Sequence, residues 1–221
     1  MSRGPARGRR ETEPMANSWA EVDKALEYLA RVDSHPHRAE GEAILLGDVD
    51  DVLPGRVLDL GCGDGRLAAL VLAAAPQSTV TCVDMSPPML EAVASRFTGD
   101  ARVHVVAHDF EERLPFTGPF DAVVSSLAIH HVTDARKQTL YAEIAGLLSP
   151  GGVFENLEIV ASPTRALHDR WRVEMGACDD PSDILRDMPS QLAWMEAAGL
   201  RDVDCIWKWR SLALLRGQRP G

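Results

Sequence analysis

From Arg56 onward, short β-branched runs alternate with stretches of helical period. The runs are "RVLDLG", "STVTCVD", "RVHVVAHD", "FDAVVSS" and "GGVFENLEIV"; between them lie "GRLAALVLAAA", "PPMLEAVASRF" and "ARKQTLYAEIAGLLS". Strands separated by helices of this length predict a parallel sheet with helices on both faces. A longer insertion follows, "ASPTRALHDRWRVEMGACDDPSDILRDM", expected to be helical, then the helix "PSQLAWMEAAG", which Gly199 stops. The closing stretch "DVDCIWKWRSLALLRG" reads as two strands too close together to be anything but antiparallel. Strict alternation in "CIWKWR" puts Trp207 and Trp209 on one face with Cys205. The fold class is therefore α/β: a Rossmann-like doubly wound sheet of seven strands, mostly parallel, with an antiparallel last strand.

Before Arg56 the pattern is different. "MSRGPARGRRETEPMAN" has almost no apolar residues, reads as a disordered tail, and leaves Met15 as an alternative start to Met1. In "SWAEVDKALEYLARVD", Ser18 and Glu21 form a capping box, and Trp19, Val22, Ala25, Leu26 and Leu29 share a helical face. A second helix is expected over residues 38–53. The chain thus divides into a tail (1–17), a helical cap (18–55), a core (56–160), a helical insertion over the acceptor side (161–188) and a C-terminal helix with an antiparallel hairpin (189–221).

The first strand runs into the most informative stretch, "VLDLGCGDGRLAAL". Gly61, Gly63 and Gly65 lie between a strand and a helix, where glycine lets a ligand approach main chain. A phosphate site at that turn would not carry Asp59 and Asp64. The second strand ends in Asp84, where doubly wound folds place an acid on a ribose diol, and the third ends in Asp109 followed by Phe110. Any one of these acids is equally well a turn or helix cap. Three at successive strand ends, which line the crevice of a parallel sheet, point instead to a nucleoside bearing a cationic amino-acid end.

Charge and composition narrow the partners. The net charge is −10, and because the first sixteen residues contribute +2 the remainder stands at −12. An acidic body repels nucleic acid and anionic lipid, so neither is an expected partner. The four cysteines lack the spacing of a zinc site or a disulfide framework. No apolar run approaches the roughly twenty residues of a membrane span, and no apolar stretch follows the N-terminal arginines to make a secretory signal. A reduced, cytoplasmic protein is expected, its oligomeric state open between monomer and dimer.

Taken together, the motifs resemble those of the class I S-adenosylmethionine-dependent methyltransferases. "VLDLGCGDG" is similar to their first motif, "VDMSPPML" to the second, "HDF" to the third, "FDAVVSSLAIHHV" to the fourth and "LLSPGGVFENLE" to the fifth, covering residues 56–160. The small-molecule, UbiE-like branch is the nearest in look. The resemblance implies S-adenosyl-L-methionine as cofactor. It puts Asp59, Gly61 and Gly63 on the methionine part, Asp84 on the ribose hydroxyls, and Met85 and Met89 beside the adenine. Asp109 and Phe110 would read the adenine, with Ser126 and Leu127 near the sulfonium. Tyr28, His37 or Arg38 would reach the cofactor carboxylate.

The acceptor is less legible. His130 and His131 follow the fourth strand at the crevice rim; neighbours point different ways, so at most one faces the acceptor. His168, in the insertion, is the next candidate base. Asn156 and Glu158 either line the acceptor pocket or finish the fifth strand. Core packing is the plainer role for the tryptophans at 171, 194, 207 and 209. A metal-assisted transfer would need an acidic cluster after the fourth strand, and "SSLAIHHVTDAR" offers none, so no metal is expected. The expected activity is methyl transfer to oxygen or carboxylate, or to nitrogen, of a small-molecule acceptor. The alternatives are a tRNA- or rRNA-modifying methyltransferase, a catalytically silent cofactor-binding scaffold, and an NAD-dependent oxidoreductase, which the loop spacing and acids disfavour.

Overall fold

The computed structural model describes residues 35–52, 54–176 and 180–221, together with Asp23 and Glu27. The expected tail, the Ser18 capping box, Tyr28 and Cys178 lie outside the described residues. The elements are α1 (Arg38–Asp51), β1 (Arg56–Leu60), α2 (Arg66–Ala74), β2 (Thr79–Asp84), α3 (Pro87–Arg96), β3 (Val103–Ala107), β4 (Phe120–Ser126), a 3-10 turn (Ile129–His131), α4 (Asp134–Leu147), β5 (Leu148–Ile159), α5 (Arg165–Glu174), α6 (Met188–Ala197), β6 (Arg201–Trp209) and β7 (Leu212–Gln218).

Seven strands form one sheet in the order β3-β2-β1-β4-β5-β7-β6. The pairs β1–β2, β1–β4, β2–β3 and β4–β5 are parallel, and β7 is antiparallel to both β5 and β6. The chain runs outward from β1 to β3 and then returns to β4 on the other side of β1. That reversal leaves a crevice beyond the C-terminal ends of β1 and β4, since neighbouring connections there turn away to opposite faces. β1 is buried from Val57 to Leu60, as a central strand covered on both faces must be.

Each face of the sheet carries its own core. One is built around Leu58, Leu60, Val123, Tyr141, Ile144 and Phe154, under α4 and α6. The other is built around Leu45, Val57, Val71, Val80, Val124 and Leu214, under α1 and α2. Side-chain caps fix several helix starts: Thr133 accepts from the Arg136 amide, Thr164 from Leu167 and Asp187 from Ser190. No helix among the described residues is long and apolar enough to cross a membrane.

Two expectations change. Among the described residues the insertion is helical only over Arg165–Glu174; residues 182–187 have no regular structure and run as a strap beside the histidine pair. Pro181 and the run of turn-forming Asp and Ser residues there favour local side-chain bonds over a helix: Ser182 Oγ and its amide both donate to Asp180, at 2.7 and 2.9 Å. Cys205 also parts from the tryptophans. The pairing with β7 slips between Cys205 and Trp207, so Cys205 packs on one core while Ile206, Trp207 and Trp209 pack on the other. A bulge inserts one residue and inverts the alternation beyond it.

Candidate functional site

The glycine turn after β1 is held by the strand beside it. The amides of Gly61 and Cys62 both donate to the carbonyl of Val83, at 2.9 and 3.0 Å. Gly61 has φ +68°, and a Cβ there would come within 2.2 Å of the Ala128 side chain. Gly63 has φ +54°, but a Cβ there would meet nothing within 4 Å: it would project into open space in the crevice. The first glycine is thus required by packing as well as by its backbone angle, the second by its left-handed backbone angle.

Beside that turn lies a cavity of about 590 Å³, lined from four strand ends. β1 contributes Gly61 and Gly63, β2 Asp84 with Met85 and Met89, β3 Asp109 and Phe110, and β4 Ser126 and Leu127, with Ala128, His131 and Val132 completing the wall. Nine of the ten residues expected at the cofactor therefore share one cavity. Asp84 accepts from the amides of Gly63 (3.0 Å) and Ser86 (2.8 Å), so the same carboxylate that faces the cavity also locks the glycine turn. Burial raises its pKa, and those amides oppose the rise. Asp109 accepts from the Glu111 amide at 2.9 Å, which makes it a turn cap as well as a wall residue.

The tenth residue, Asp59, lines a smaller adjoining cleft of about 270 Å³ with Arg38, Cys62, Asp64 and Leu67; Gly61, Gly63 and Ser126 border both spaces. Asp59 is buried, and among the described residues neither carboxylate oxygen has a hydrogen-bond partner at full bonding geometry. Burial, reinforced by the charge of Asp84, pushes its pKa up to about 7, while the Ala68 amide and Arg38 pull the other way. Asp64 is different: it pairs with Arg96 and accepts from the Arg66 amide. Arg38 donates to Glu42 at 2.7 Å and to Ser126 Oγ at 3.3 Å. His37 lines neither space; exposed, it bonds Glu40 and lies against Trp209, ring centroids 4.3 Å apart.

The side where an acceptor was expected is assembled from more distant parts. His131 lines the large cavity; His130 is buried behind it, its Nδ1 2.5 Å from Glu158 Oε1. Burial alone would lower the His130 pKa, but the charges of Glu158 and Asp183 outweigh it and raise it. The strap supplies Asp183, whose Oδ1 is 3.5 Å from His130 Nε2 and 3.6 Å from His131 Nδ1, and Ser182, whose Oγ is 3.1 Å from His131 Nδ1. It is pinned by the Ile184 amide donating to the His130 carbonyl (2.9 Å) and by buried Lys137, whose Nζ donates to the carbonyls of Val132 and Ile184 (2.7 and 2.6 Å). His168 is half-buried on α5 and lines neither space; Asn156 is buried within β5. The tryptophans line neither space.

A methyltransferase-domain family model matches residues 57–152. A trans-aconitate 2-methyltransferase of Streptomyces avermitilis is 32% identical over 213 residues, covering 88% of this chain and 74% of that protein. The chain belongs to the class I S-adenosylmethionine-dependent methyltransferases. An uncharacterized methyltransferase of Mycobacterium tuberculosis (strain H37Rv) is 39% identical over 109 residues, 49% of this chain. The chain spans about half the length of that relative, 53%. Among solved structures, the N-methyltransferase NodS of Bradyrhizobium japonicum, in complex with S-adenosyl-L-homocysteine, superposes with a TM-score of 0.70 at 18% identity, covering 93% of this chain and all of that one. Human N-acetylserotonin methyltransferase, in complex with SAM, gives 0.69 at 17% identity, covering 92% of this chain and 58% of that one. These structural likenesses speak to the fold.

Within this methyltransferase fold several contributors were invisible in the motifs. Buried Glu42 links Arg38 to Arg66, at 2.7 and 2.9 Å. Arg136 braces the turn after β3, donating to the carbonyls of Phe110 (2.6 Å) and Glu112 (2.7 Å) while paired to Glu143 at 2.7 Å. Its only signal in sequence was a basic residue inside an otherwise ordinary amphipathic helix. Ser182 and Asp183 carried none, because nothing local ties residues 182–183 to residues 130–131.

Proposed function

We propose that this chain transfers a methyl group from S-adenosyl-L-methionine to an oxygen of a small organic acceptor. The observation that carries the reading is the single crevice formed at four strand ends, with an orphaned, buried carboxylate in the cleft at its edge. Its features fit the cofactor. The cradle at Gly63 would be filled by any side chain, and Asp59 sits where it could accept a buried ammonium group. A pyrophosphate would meet that same carboxylate and be repelled.

Under this reading Asp59 and the turn from Gly61 to Gly63 hold the methionine part, and Arg38 its carboxylate. Asp84 holds the ribose hydroxyls, with Met85, Met89, Asp109 and Phe110 around the adenine. Ser126 and Leu127 flank the sulfonium. When bound, the cofactor supplies a methyl group already activated on sulfonium, so the protein's task is chiefly to orient and to exclude water. Leu127, Ala128 and Val132 make the apolar wall that excludes it. His131 is the polar group on the acceptor side, positioned to hold a hydroxyl and ease its proton away.

A carboxylate acceptor is the second reading, favoured by the trans-aconitate 2-methyltransferase name of the Streptomyces relative. Against it, no lysine or arginine among the described residues lines the large cavity, and Glu158 and Asp183 stand behind its histidine wall. Such an environment disfavours a polyanion relative to a neutral hydroxyl. An RNA substrate is disfavoured by the −12 body.

Calorimetric titration tests the cofactor: S-adenosyl-L-methionine should bind, and tight NAD binding without response to the methyl donor would sink the proposal. Methyl-labelled donor incubated with a metabolite extract, with trans-aconitate and with total RNA tests the acceptor. Label should enter alkali-stable methyl ethers. Alkali-labile esters would favour the carboxylate reading, and label in RNA alone would refute both.

A further inference from the structure

We propose that His130, His131 and Asp183 form a divalent-cation site on the acceptor side of the cavity. The inference deepens the reading of the chain as a methyltransferase, on which its role in the reaction rests. The donor atoms of the three side chains all lie within 4.8 Å of one another. Asp183 Oδ1 is 3.5 Å from His130 Nε2 and 3.6 Å from His131 Nδ1, both longer than the usual hydrogen bond. They are close to the edge of a zinc tetrahedron: ligands at about 2.0–2.1 Å from a central ion stand roughly 3.4 Å apart.

A second observation points the same way. His130 presents Nε2 to Asp183 because its other nitrogen, Nδ1, is engaged by Glu158 at 2.5 Å. A buried carboxylate on the far nitrogen is the arrangement that fixes the tautomer and orientation of a metal-binding histidine. Glu158 Oε1 also accepts from the Ile159 amide at 2.7 Å, so the carboxylate is itself held. Two imidazoles and one carboxylate suit zinc or cobalt, and three protein ligands with one open position is the pattern of a catalytic rather than a structural site. His131 borders the large cavity, which puts that open position within reach of an acceptor. A cation there would polarise an acceptor hydroxyl and lower its pKa, the proton passing to solvent. A cation would have to displace the hydrogen bonds that His131 Nδ1 makes to Ser182, with Oγ at 3.1 Å and the carbonyl oxygen at 3.4 Å, the latter with Nδ1–H as donor. The absence of an acidic pair after β4 argued against a metal from sequence; here the acid comes from the strap.

The test is a titration of the tag-free full chain with Co²⁺. One equivalent should bind with the visible bands of four-coordinate cobalt and be displaced by Zn²⁺. His131→Ala and the isosteric Asp183→Asn should abolish those bands. Glu158→Gln should weaken Co²⁺ binding by roughly 10–100-fold. His104→Ala, at an exposed histidine on β3, should match the wild type. Bands that survive His131→Ala, or vanish with His104→Ala, would overturn the site. Parallel titrations with S-adenosyl-L-methionine show whether each variant is folded and keep the two readings apart. Cofactor binding with no cobalt bands would sink the cation site alone; cobalt bands with no cofactor binding would sink the methyltransferase reading alone.

Discussion

The two sides of the crevice are built by opposite strategies. On the cofactor side, each group sits at or just past the end of a strand and is positioned by the paired strand beside it or by its own turn: Gly63 by Asp84 at the end of neighbouring β2, Asp109 by the amide two residues on. On the acceptor side, His130 meets Glu158 from β5 and Asp183 from the strap, 28 and 53 positions away. A design pinned to paired strands keeps its groups in register as long as the sheet holds. An assembled one can change partners when the strap changes. That division suits a fold whose donor is constant and whose acceptor varies.

The largest expected effect falls on the acceptor side. His131→Ala should lower kcat by roughly 10²–10⁴-fold, the scale of a lost proton-handling group, with cofactor affinity within about twofold of wild type. A matching loss of cofactor affinity would break the comparison, because it would mean the two sides are one unit. Next comes Asp84→Ala. It removes the proposed ribose contact and leaves the amides of Gly63 and Ser86 without their acceptor. Hydrogen bonds to a charged group are worth about 1.5–3 kcal/mol, so calorimetry should show cofactor binding weakened by about 100-fold. An unchanged affinity would remove Asp84 from the site.

The same division explains what the sequence made legible. The sheet, its reversed last strand and nine residues of the large cavity follow from signals within a few positions of one another: a β-branched run, an acid at its end, glycines in the turn. The strap does not. A helix was expected through residues 182–187, yet Asp180 captures Ser182 in a turn and Lys137, from another element, ties Ile184 down. Cys205 was placed with Trp207 because alternation cannot reveal a bulge. Arg136 looked like any surface arginine until Phe110 was folded against it. For Lys137, the β6–β7 register and Arg136 the missing information is a contact distant in sequence, which no local period encodes; the Asp180–Ser182 turn is local but breaks the helical pattern rather than following it.

A smaller effect separates Asp59 from its neighbours. With a carboxyl pKa near 7, cofactor affinity should rise about tenfold between pH 6 and pH 8 as Asp59 ionises, and level off where the ligand's own ammonium begins to deprotonate, about pH 8. The free protein shows the opposite sign. Its folded pKa lies above the unfolded value, so the stability contributed by Asp59 is complete below about pH 4 and is lost as pH rises through 7. Asp59→Asn should flatten both profiles: cofactor binding falls roughly tenfold at pH 8, while the ligand-free protein melts no lower than wild type there. Binding that keeps its pH dependence in the variant would assign the titration to another group.

The smallest effect is expected at a second buried carboxyl with a raised pKa, one that lies away from the clefts. Glu155 is buried in β5, its Oε1 3.6 Å from Arg216 Nε, and burial together with the charge of Asp48 pushes its pKa up to about 9, against the pull of Arg216. It lies at the α1–β7 contact, where Arg216 pairs with Asp48 at 2.8 Å, and lines neither cleft. A raised folded pKa means that Glu155, too, contributes stability at low pH that drains away as pH rises toward 9. Glu155→Gln keeps the shape and removes the ionisation. It should leave cofactor affinity and turnover at wild-type values and hold or raise the melting temperature at pH 8–9. If it weakened cofactor binding as Asp59→Asn does, the boundary of the site would have to move outward to β5. If it does not, a displaced pKa alone marks burial, and the open cleft beside Asp59 is what marks function.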